Sequence, residues 1–388
     1  MRPTLLIKFA EASDGFLSWR WSDRLDRVEA AHIGLDVLQA ISNGLAAHLP
    51  NPLDGEPTAD ALTRALTSGA FSRPDTTTVI CQEIANALIP QPLQEELRSS
   101  RERPVVRIQD SPAVARVPWE LVLGEWCDVV AMPPATVRER RQRPTGSGVV
   151  AVIDPRIPGQ TADSALGSVL GRPAADAPLA ALLERHGDDL RPQVDSYPDL
   201  ARRRDLDREW LRHACADAAR LLFVGHTSNA SDHGIPGENS AIHLCCVDAD
   251  GTHRPLTAGE LVNGAGAGRW QLPARVGLIG CESGGDARDH DQLGLTMACL
   301  ALGSDLVTAT RWVLPTDRAL VEAFGDRVDG APLQELVLAV DAAHAASDPV
   351  AELATWRTAR AEAWQDGGRP GDHPLLWAGL TTTELTAG

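Results

Sequence analysis

Three polar residues that can do chemistry each follow a short apolar run of the chain. The run "VVAVI" is followed by Asp154, "RLLFVG" by His226 and "RVGLIG" by Cys281. A cysteine thiolate is a good nucleophile, and a neighbouring imidazole can take the thiol proton and later pass it to a leaving amine. The residue types predict nucleophilic attack by Cys281 with His226 as the proton carrier.

The turn after the cysteine has the composition that such chemistry needs. "ESGG" follows Cys281 and can form a small, flexible turn whose backbone N–H groups bind the oxyanion of a tetrahedral intermediate. A nucleophile elbow is excluded, because it requires glycine where this chain has Ile279 and Ser283. Taken singly, a cysteine or a histidine at a strand end is more typical of packing, and that alternative stays open.

The elements that must position these residues can be predicted from residue 149 onward. Strand-like and helix-like segments alternate there, which predicts a parallel sheet covered by helices on both faces. "VVAVI" is a continuous run dominated by β-branched residues, as in strands buried on both faces. Thr257 with Glu260 three residues later predicts a helix start by a capping box. Chemistry gathers at the carboxyl ends of such strands, where His226 and Cys281 stand.

The preceding part of the chain predicts an accessory lobe. "TLLIKF" and "FLSWRW" have the length and alternation of strands, residues 27–49 and 78–89 have helical character, and "PVVRIQD" predicts a further strand. "RERRQRPTGSG" is charged and then rich in Pro, Gly and Ser, like an exposed linker. We therefore divide the chain into an N-terminal α/β accessory region, residues 1–145, and a second domain, residues 146–388.

Composition excludes several classes of function. The 388 residues carry a formal net charge of −17, which argues against nucleic-acid binding. The N-terminal apolar run is too short for a membrane span or a signal peptide. Seven cysteines, an odd number, predict free thiols in a cytoplasmic protein. Cys245 and Cys246 are neighbours in a strand-like run and face opposite ways, so they could hardly bind one metal ion, and no metal site is expected. The cysteine chemistry predicted above needs no organic cofactor.

Several segments resemble CHAT domains, the caspase-like relatives of separase. They occur in the family's order and together span about residues 88–380, with gaps between 156 and 205: "ARVPWELV", "LLFVGHTS", "PLTAGELV", "RVGLIGCESG", "GLTMACLALGSDLVTATRWVLPTDRA" and "HPLLWAGL". The resemblance implies a caspase-haemoglobinase-like α/β fold, a mostly parallel sheet flanked by helices, in a CHAT protease domain over residues 146–388. It also implies a cysteine endopeptidase with a His226–Cys281 dyad. Caspase-like proteases place the histidine about 50 residues before the cysteine, close to the spacing here.

The resemblance also implies roles for the residues next to His226 and Cys281. The backbone N–H groups of Thr227 and Cys281 would form the oxyanion hole. The family usually has glycine after the histidine and small polar residues before the cysteine. Here these places hold Thr227, which restricts the backbone more than glycine does, and Ile279 with Gly280. Because of these departures, a second interpretation stays open, in which the protein is a catalytically inactive caspase-like scaffold that binds other proteins.

Three positions are candidates for substrate binding. Asp154 stands where related proteases carry a specificity residue, although an Asp-Pro turn explains it too. Glu282 is a loop carboxylate beside the nucleophile. Trp312 is on the strand after the helix that follows the cysteine, where caspase-like enzymes line the substrate cleft, and a buried structural tryptophan is the alternative. We expect Trp119 to serve packing and Glu120 to be a buried acceptor that needs a partner.

The same resemblance suggests a biological setting. It implies a protein substrate, a separately encoded regulatory or sensor protein, and a role in bacterial defence or cell death, with no nucleic acid and no membrane involved. A different thiol enzyme acting on a small molecule is a further alternative.

Overall fold

A computed structural model describes residues 2–134, 146–162, 164–228, 237–264, 270–285 and 294–385. Most of the predicted linker at 138–148 lies outside these ranges. The strands are β1 (Thr4–Glu11), β2 (Gly15–Trp21), β3 (Glu29–Ile33), β4 (Val105–Gln109), β5 (Asp128–Ala131), β6 (Val149–Ile153), β7 (Leu190–Arg191), β8 (Arg220–Val224), β9 (Thr227–Ser228), β10 (Ala241–Ile242), β11 (Leu256–Thr257), β12 (Arg275–Ile279), β13 (Leu306–Thr310) and β14 (Leu380–Glu384). The helices are α1 (Leu35–His48), α2 (Thr58–Thr67), α3 (Pro74–Leu88), α4 (Gln91–Ser99), α5 (Trp119–Val122), α6 (Ala181–His186), α7 (Tyr197–Leu200), α8 (Arg208–Cys215), α9 (Ala258–Asn263), α10 (Leu295–Ala301), α11 (Asp317–Phe324), α12 (Pro332–Ala345), α13 (Pro349–Gly367) and α14 (Pro374–Trp377).

One large sheet of eleven strands organises the molecule. Its order is β3-β2-β1-β4-β5-β14-β13-β12-β8-β6-β7. Neighbouring strands run parallel except at β3–β2, β2–β1 and β14–β13. Strands β9, β10 and β11 form a separate small sheet. The predicted α/β class, a mostly parallel sheet flanked by helices, is confirmed.

Helices cover both faces of the central strands, which explains their continuous apolar sequence. In β6, Val149, Ala151 and Ile153 pack in the core that contains α12, whereas Val150 and Val152 pack in the core that contains α8 and α10. Successive residues of a strand point to opposite faces, so a strand between two cores must be apolar at every position. Each such aliphatic side chain contributes about 1.5–3 kcal/mol when fully buried.

Strand β14 joins the two predicted regions of the chain. It pairs antiparallel with β13 and parallel with β5, where Thr383 is the register partner of Ala131. The sheet therefore runs without interruption from the N-terminal strands to the strands that follow residue 149. The division near residue 145 stays a prediction about the chain and does not coincide with a break in the sheet.

One predicted helix is partly wrong. Residues 27–49 were expected to be helical, but Glu29–Ile33 forms β3, and the helix α1 begins only at Leu35. Strand β3 pairs antiparallel with β2, with Gly15 opposite Ile33. This pairing buries Ile33 and outweighs the helix propensity of the alanines at positions 30 and 31.

Candidate active site

His226 and Cys281 lie at corresponding positions just after the carboxyl ends of two neighbouring parallel strands. Strands β8 and β12 are parallel, and their last register pair is Val224 with Ile279. The Gly225 N–H then donates to the Ile279 carbonyl at 3.1 Å. Each of the two candidate catalytic residues follows its strand's last paired residue by two positions. The sheet thus brings them to the same edge.

Thr227 and Gly280 fill the space between the two strand ends. The Thr227 hydroxyl donates to the Cys281 carbonyl at 2.5 Å. A Cβ atom at position 280 would lie 2.6 Å from Thr227 Cγ2 and 2.7 Å from the Gly225 carbonyl oxygen. No side chain fits at such distances. The threonine after the histidine and the glycine before the cysteine, both departures from the CHAT pattern, are therefore packed against each other.

A backbone carbonyl orients the imidazole of His226. His226 Nε2 lies 3.0 Å from the Gly167 carbonyl oxygen, which can only accept a hydrogen bond. Nε2 therefore carries the proton, and Nδ1 of the neutral ring is left as the acceptor. Burial lowers the pKa of His226, and the Gly167 bond and the Asp154 charge oppose that shift. A neutral ring with a free acceptor nitrogen is the form that a general base needs.

Arg202 holds the Gly167 carbonyl in place. Its Nη1 donates to that carbonyl at 3.1 Å and pairs with Asp154 at 3.3 Å. Arg202 adopts the left-handed conformation, with φ of 56°, which is uncommon for a residue other than glycine. Sequence analysis missed both Gly167 and Arg202, which lie in a Pro- and Ala-rich stretch without a periodic pattern.

Asp154 is buried beneath the same loop. Its carboxylate accepts hydrogen bonds from the Ser168 hydroxyl at 2.5 Å and from the Val169 and Leu170 N–H groups at 3.2 and 3.4 Å. Only 1% of the residue is exposed. These contacts favour a role in ordering the 167–170 loop over direct contact with a substrate.

The Cys281 thiol is protonated at neutral pH. Burial raises its pKa to about 11, and the neighbouring Glu282 charge acts in the same direction. In the described part of the chain, no hydrogen bond joins the thiol to the His226 ring. The sulfur is therefore not activated in this conformation.

Glu282 connects the turn after Cys281 to the N-terminal region. It has a φ of 58°, a left-handed conformation that is strained for a glutamate. Its buried carboxylate accepts a hydrogen bond from Asn51 Nδ2 and pairs with Arg116 at 3.4 Å. Its N–H donates to the Trp312 carbonyl at 3.3 Å.

Thr310 fixes the remainder of this turn. The Thr310 hydroxyl donates to the Gly280 carbonyl, and the Thr310 N–H donates to the Ser283 hydroxyl at 3.0 Å. The Ser283 hydroxyl in turn donates to the Leu278 carbonyl at 2.6 Å. Thr310 ends β13, which also contains Thr308, and a fully buried threonine next to Arg311 was the available signal for its role.

Trp312 lies in the interior. It is 1% exposed, and its Nε1 donates to the Leu375 carbonyl at 2.8 Å. A Cβ atom at position 379 would lie 2.8 Å from that nitrogen, so Gly379 is needed to accommodate the indole. The contacts favour packing over a place in an open substrate cleft.

The expectations for Trp119 and Glu120 are confirmed. Trp119 stacks on Phe9 with ring centroids 5.2 Å apart. Glu120 binds Arg311 through both carboxylate oxygens, at 2.6 and 3.2 Å. Because Arg311 directly precedes Trp312, this buried ion pair ties the N-terminal region to the chain segment behind Cys281.

The remaining features concern metals and membranes. Within the described ranges, no group of three or more His, Cys, Asp or Glu side chains is placed to hold a metal ion. None of the helices described above is both long and apolar enough to cross a membrane.

The architecture defines a fold class, the caspase-like α/β fold found in separase. A crystal structure of the Saccharomyces cerevisiae separase–securin complex at 2.6 Å resolution aligns with a TM-score of 0.53 and 10% sequence identity, covering 98% of this chain and 30% of that chain. A second structure of the complex, at 3.0 Å, gives a TM-score of 0.47 with the same identity and coverage. At this identity the likeness extends to the fold alone. No protein-family model and no curated protein matches the sequence, so the specific CHAT resemblance stays a prediction.

Proposed function

We propose that the protein is a cysteine endopeptidase in which Cys281 is the nucleophile and His226 is the general base. The observation that carries the proposal is the pairing of β8 with β12, from which both residues emerge at the same height. The hydrogen bond from His226 Nε2 to the Gly167 carbonyl adds a fixed tautomer with Nδ1 as acceptor.

The reaction follows from these positions. The Cys281 thiol proton moves to His226 Nδ1 while the sulfur attacks the scissile carbonyl carbon. Backbone N–H groups of Thr227 and Cys281 hold the oxyanion of the tetrahedral intermediate. When the C–N bond breaks, the imidazolium gives its proton to the leaving amine. Water, deprotonated by His226, then hydrolyses the thioester and releases the acid product.

Gly167 supports the charged intermediate of this cycle. The imidazolium that forms after proton transfer keeps its Nε2 hydrogen bond to the Gly167 carbonyl, whose dipole favours the positive charge. Arg202 and Asp154 act through that carbonyl and are positioning residues. In the same proposal, Glu282 and Trp312 support the turn after Cys281 from the interior, since the Glu282 carboxylate is bound internally and Trp312 is buried.

In the resting protein, the Cys281 thiol needs an activation step before it can attack a peptide bond. A thiol with a pKa near 11 and no hydrogen bond to its base does not attack peptides efficiently at neutral pH. We propose that a separately encoded regulatory protein or a ligand rearranges the turn after Cys281. The structural neighbour was crystallised as a complex with securin, which supports regulation by a protein partner. A protein substrate, a cytoplasmic location and a role in bacterial defence or cell death belong to the same proposal.

Proteolysis is tested by mass spectrometry of new peptide termini. The purified protein is incubated with a proteome-derived peptide library and, separately, with a lysate of its host. We expect new termini that are lost in Cys281→Ala and His226→Ala. Cys245→Ala is the matched control, because this half-buried thiol lies outside the site. Cleavage that persists in Cys281→Ala would contradict the proposal.

A second function, protein binding without turnover, is favoured by the half-buried thiol of Cys281, whose raised pKa keeps it protonated. A scaffold needs neither the nucleophile nor its base. In that case Cys281→Ala leaves the cellular function of the protein unchanged, whereas a protease loses it.

A further inference from the structure

Glu282 adopts a backbone conformation that its residue type does not favour. Its φ of 58° lies in the left-handed region, which is strained for a residue with a side chain. The residue is 6% exposed, so it is enclosed by the rest of the protein. Such a conformation persists only when the surrounding contacts impose it. The contacts of Glu282 therefore reveal what fixes the turn after Cys281.

Two side chains of the N-terminal region bind the Glu282 carboxylate. Asn51 Nδ2 donates a hydrogen bond to Oε1, and Arg116 Nη2 donates to the same oxygen at 3.4 Å. Asn51 is itself 5% exposed, and its other polar side-chain atom, Oδ1, has no hydrogen-bond partner among the residues described. In this part of the chain, the Asn51 side chain thus makes one hydrogen bond, and its acceptor is Glu282.

Arg64 holds the loop that carries Asn51. Its guanidinium donates to the carbonyl oxygens of Ala47, Leu49 and Asn51 at 2.5, 3.3 and 3.0 Å. It also pairs with Glu56 at 2.8 Å. These contacts fix the base of the loop between α1 and α2, while its tip is exposed to solvent. The Asn51 side chain therefore has a well-bonded support that reaches the protein surface.

The Glu282 carboxylate also acts on the neighbouring thiol. Burial and the charge of Glu282 together raise the pKa of Cys281 to about 11. Since the thiolate is the reactive form, a turn that keeps this carboxylate in place keeps the sulfur unreactive. Movement of Glu282 away from Cys281 would remove the negative charge and admit water, and both changes lower the pKa of the thiol.

We propose that the N-terminal region restrains the turn after Cys281 through the Asn51–Glu282 contact, and that release of this contact frees the thiol to react. Asn51, Arg64 and Arg116 are then positioning residues, since they act on Cys281 through Glu282. The backbone strain at Glu282 favours departure from the restrained conformation once the contact is lost. Activation of proteolysis by this release rests on the function proposed above, whereas the reactivity of the thiol does not depend on it.

The pH dependence of Cys281 alkylation measures the restraint without a peptide substrate. Full-length wild type and Asn51→Leu are treated with iodoacetamide over a range of pH, and mass spectrometry of the peptide containing residue 281 gives the rate. Asn51→Leu removes the hydrogen-bond donor without changing any charge, so a lower apparent pKa of the thiol reports movement of the turn. We expect the rate at neutral pH to rise about tenfold, which corresponds to about 1.4 kcal/mol in favour of the released turn.

A second variant reaches the same state from the loop. Arg64→Gln withdraws the support of Asn51 and leaves both side chains of the Asn51–Glu282 contact in place. It should also raise the alkylation rate of Cys281, so it decides the question if Asn51→Leu does not fold. Arg73→Gln is the matched control and should have no effect, because this arginine pairs with its near neighbour Asp75 on the exposed surface of the same region.

Cys127 serves as an internal control in every sample. This thiol of the N-terminal region is 1% exposed, so a general loosening of the region would raise its alkylation together with that of Cys281. A rise confined to Cys281 supports the restraint. Unchanged Cys281 alkylation in the variants that fold, or a parallel rise at Cys127, overturns it. Absence of peptide cleavage in every form would count against the protease function and not against the restraint.

Discussion

Thr227 and Gly280 are complementary across the ends of β8 and β12. The threonine side chain occupies the space that a Cβ atom at position 280 would need, and its hydroxyl donates to the carbonyl of the adjacent Cys281. Both residues depart from the CHAT pattern. Thr227 is larger than the glycine usual after the histidine, whereas Gly280 lacks the side chain of the small polar residue usual before the cysteine. Their packing fixes the separation between the strand ends from which His226 and Cys281 emerge.

A double-mutant cycle measures this complementarity. Gly280→Ala should lower the free energy of unfolding by about 1–3 kcal/mol, because the added methyl group collides with Thr227 and with the Gly225 carbonyl. Adding Thr227→Gly should recover part of that loss, since the carbonyl collision remains. Urea denaturation of the two single variants and the double variant gives a coupling energy of about 1 kcal/mol. Purely additive effects would show that the two residues are independent.

Arg202→Gln tests the positioning of His226, the proposed general base. The charge of Arg202 lowers the pKa of His226, so its removal should raise that pKa, and the release of the Gly167 carbonyl should loosen the ring. We expect kcat on a cleaved peptide to fall about tenfold with little change in KM. An NMR titration of the His226 ring provides a readout independent of activity. Arg203→Gln, whose side chain pairs with Asp205, is the control; an unchanged His226 titration would refute the assignment.

His373 makes the fold sensitive to acid. Burial lowers the pKa of this fully enclosed ring from 6.5 to about 4. The unfolded chain therefore binds more protons between pH 6.5 and 4, and stability falls as the pH drops through that window. Because of this residue, the free energy of unfolding should fall by about 2 kcal/mol when the pH is lowered from 7 to 5. Comparing urea denaturation of wild type and His373→Gln at both pH values isolates its share, and equal pH dependence in the two proteins would contradict it.

The Cys281 thiol should react slowly in the resting protein. Its pKa near 11 leaves little thiolate at pH 8, so alkylation by iodoacetamide should be at least about tenfold slower than that of free cysteine. Mass spectrometry of the peptide containing residue 281 measures the rate. The rate should rise when an activating partner or ligand is added. Rapid alkylation without any activator would mean that the thiol is already accessible and ionised.

Breaking the Glu120–Arg311 pair should destabilise the fold strongly. Both side chains are buried, and removal of one partner leaves an uncompensated charge. Glu120→Gln should therefore cost about 3–5 kcal/mol of unfolding free energy. The paired replacement Glu120→Gln with Arg311→Met should cost less than the sum of the two single changes. A Glu120→Gln effect below about 1 kcal/mol would indicate that the pair contributes little.

The sequence by itself determined the local elements around the site. Strands β6, β8, β12 and β13 consist mainly of apolar residues, and this pattern exists because each is buried on both faces. The capping box of Thr257 and Glu260 was predicted because all its atoms lie within one helical turn. His226 and Cys281 were selected as candidates by a local rule, since reactive residues gather at the ends of parallel strands.

Only the tertiary structure decided what surrounds those two residues. The partner of the His226 ring is a glycine carbonyl 59 positions away, and no side-chain type marks such a residue in advance. The contact between Glu282 and Asn51 spans 231 positions. The conversion of Glu29–Ile33 into a strand and the insertion of β14 between β13 and β5 likewise depend on distant partners. Local periodicity encodes which face of an element is buried, whereas strand order and backbone acceptors arise only when remote segments pack together.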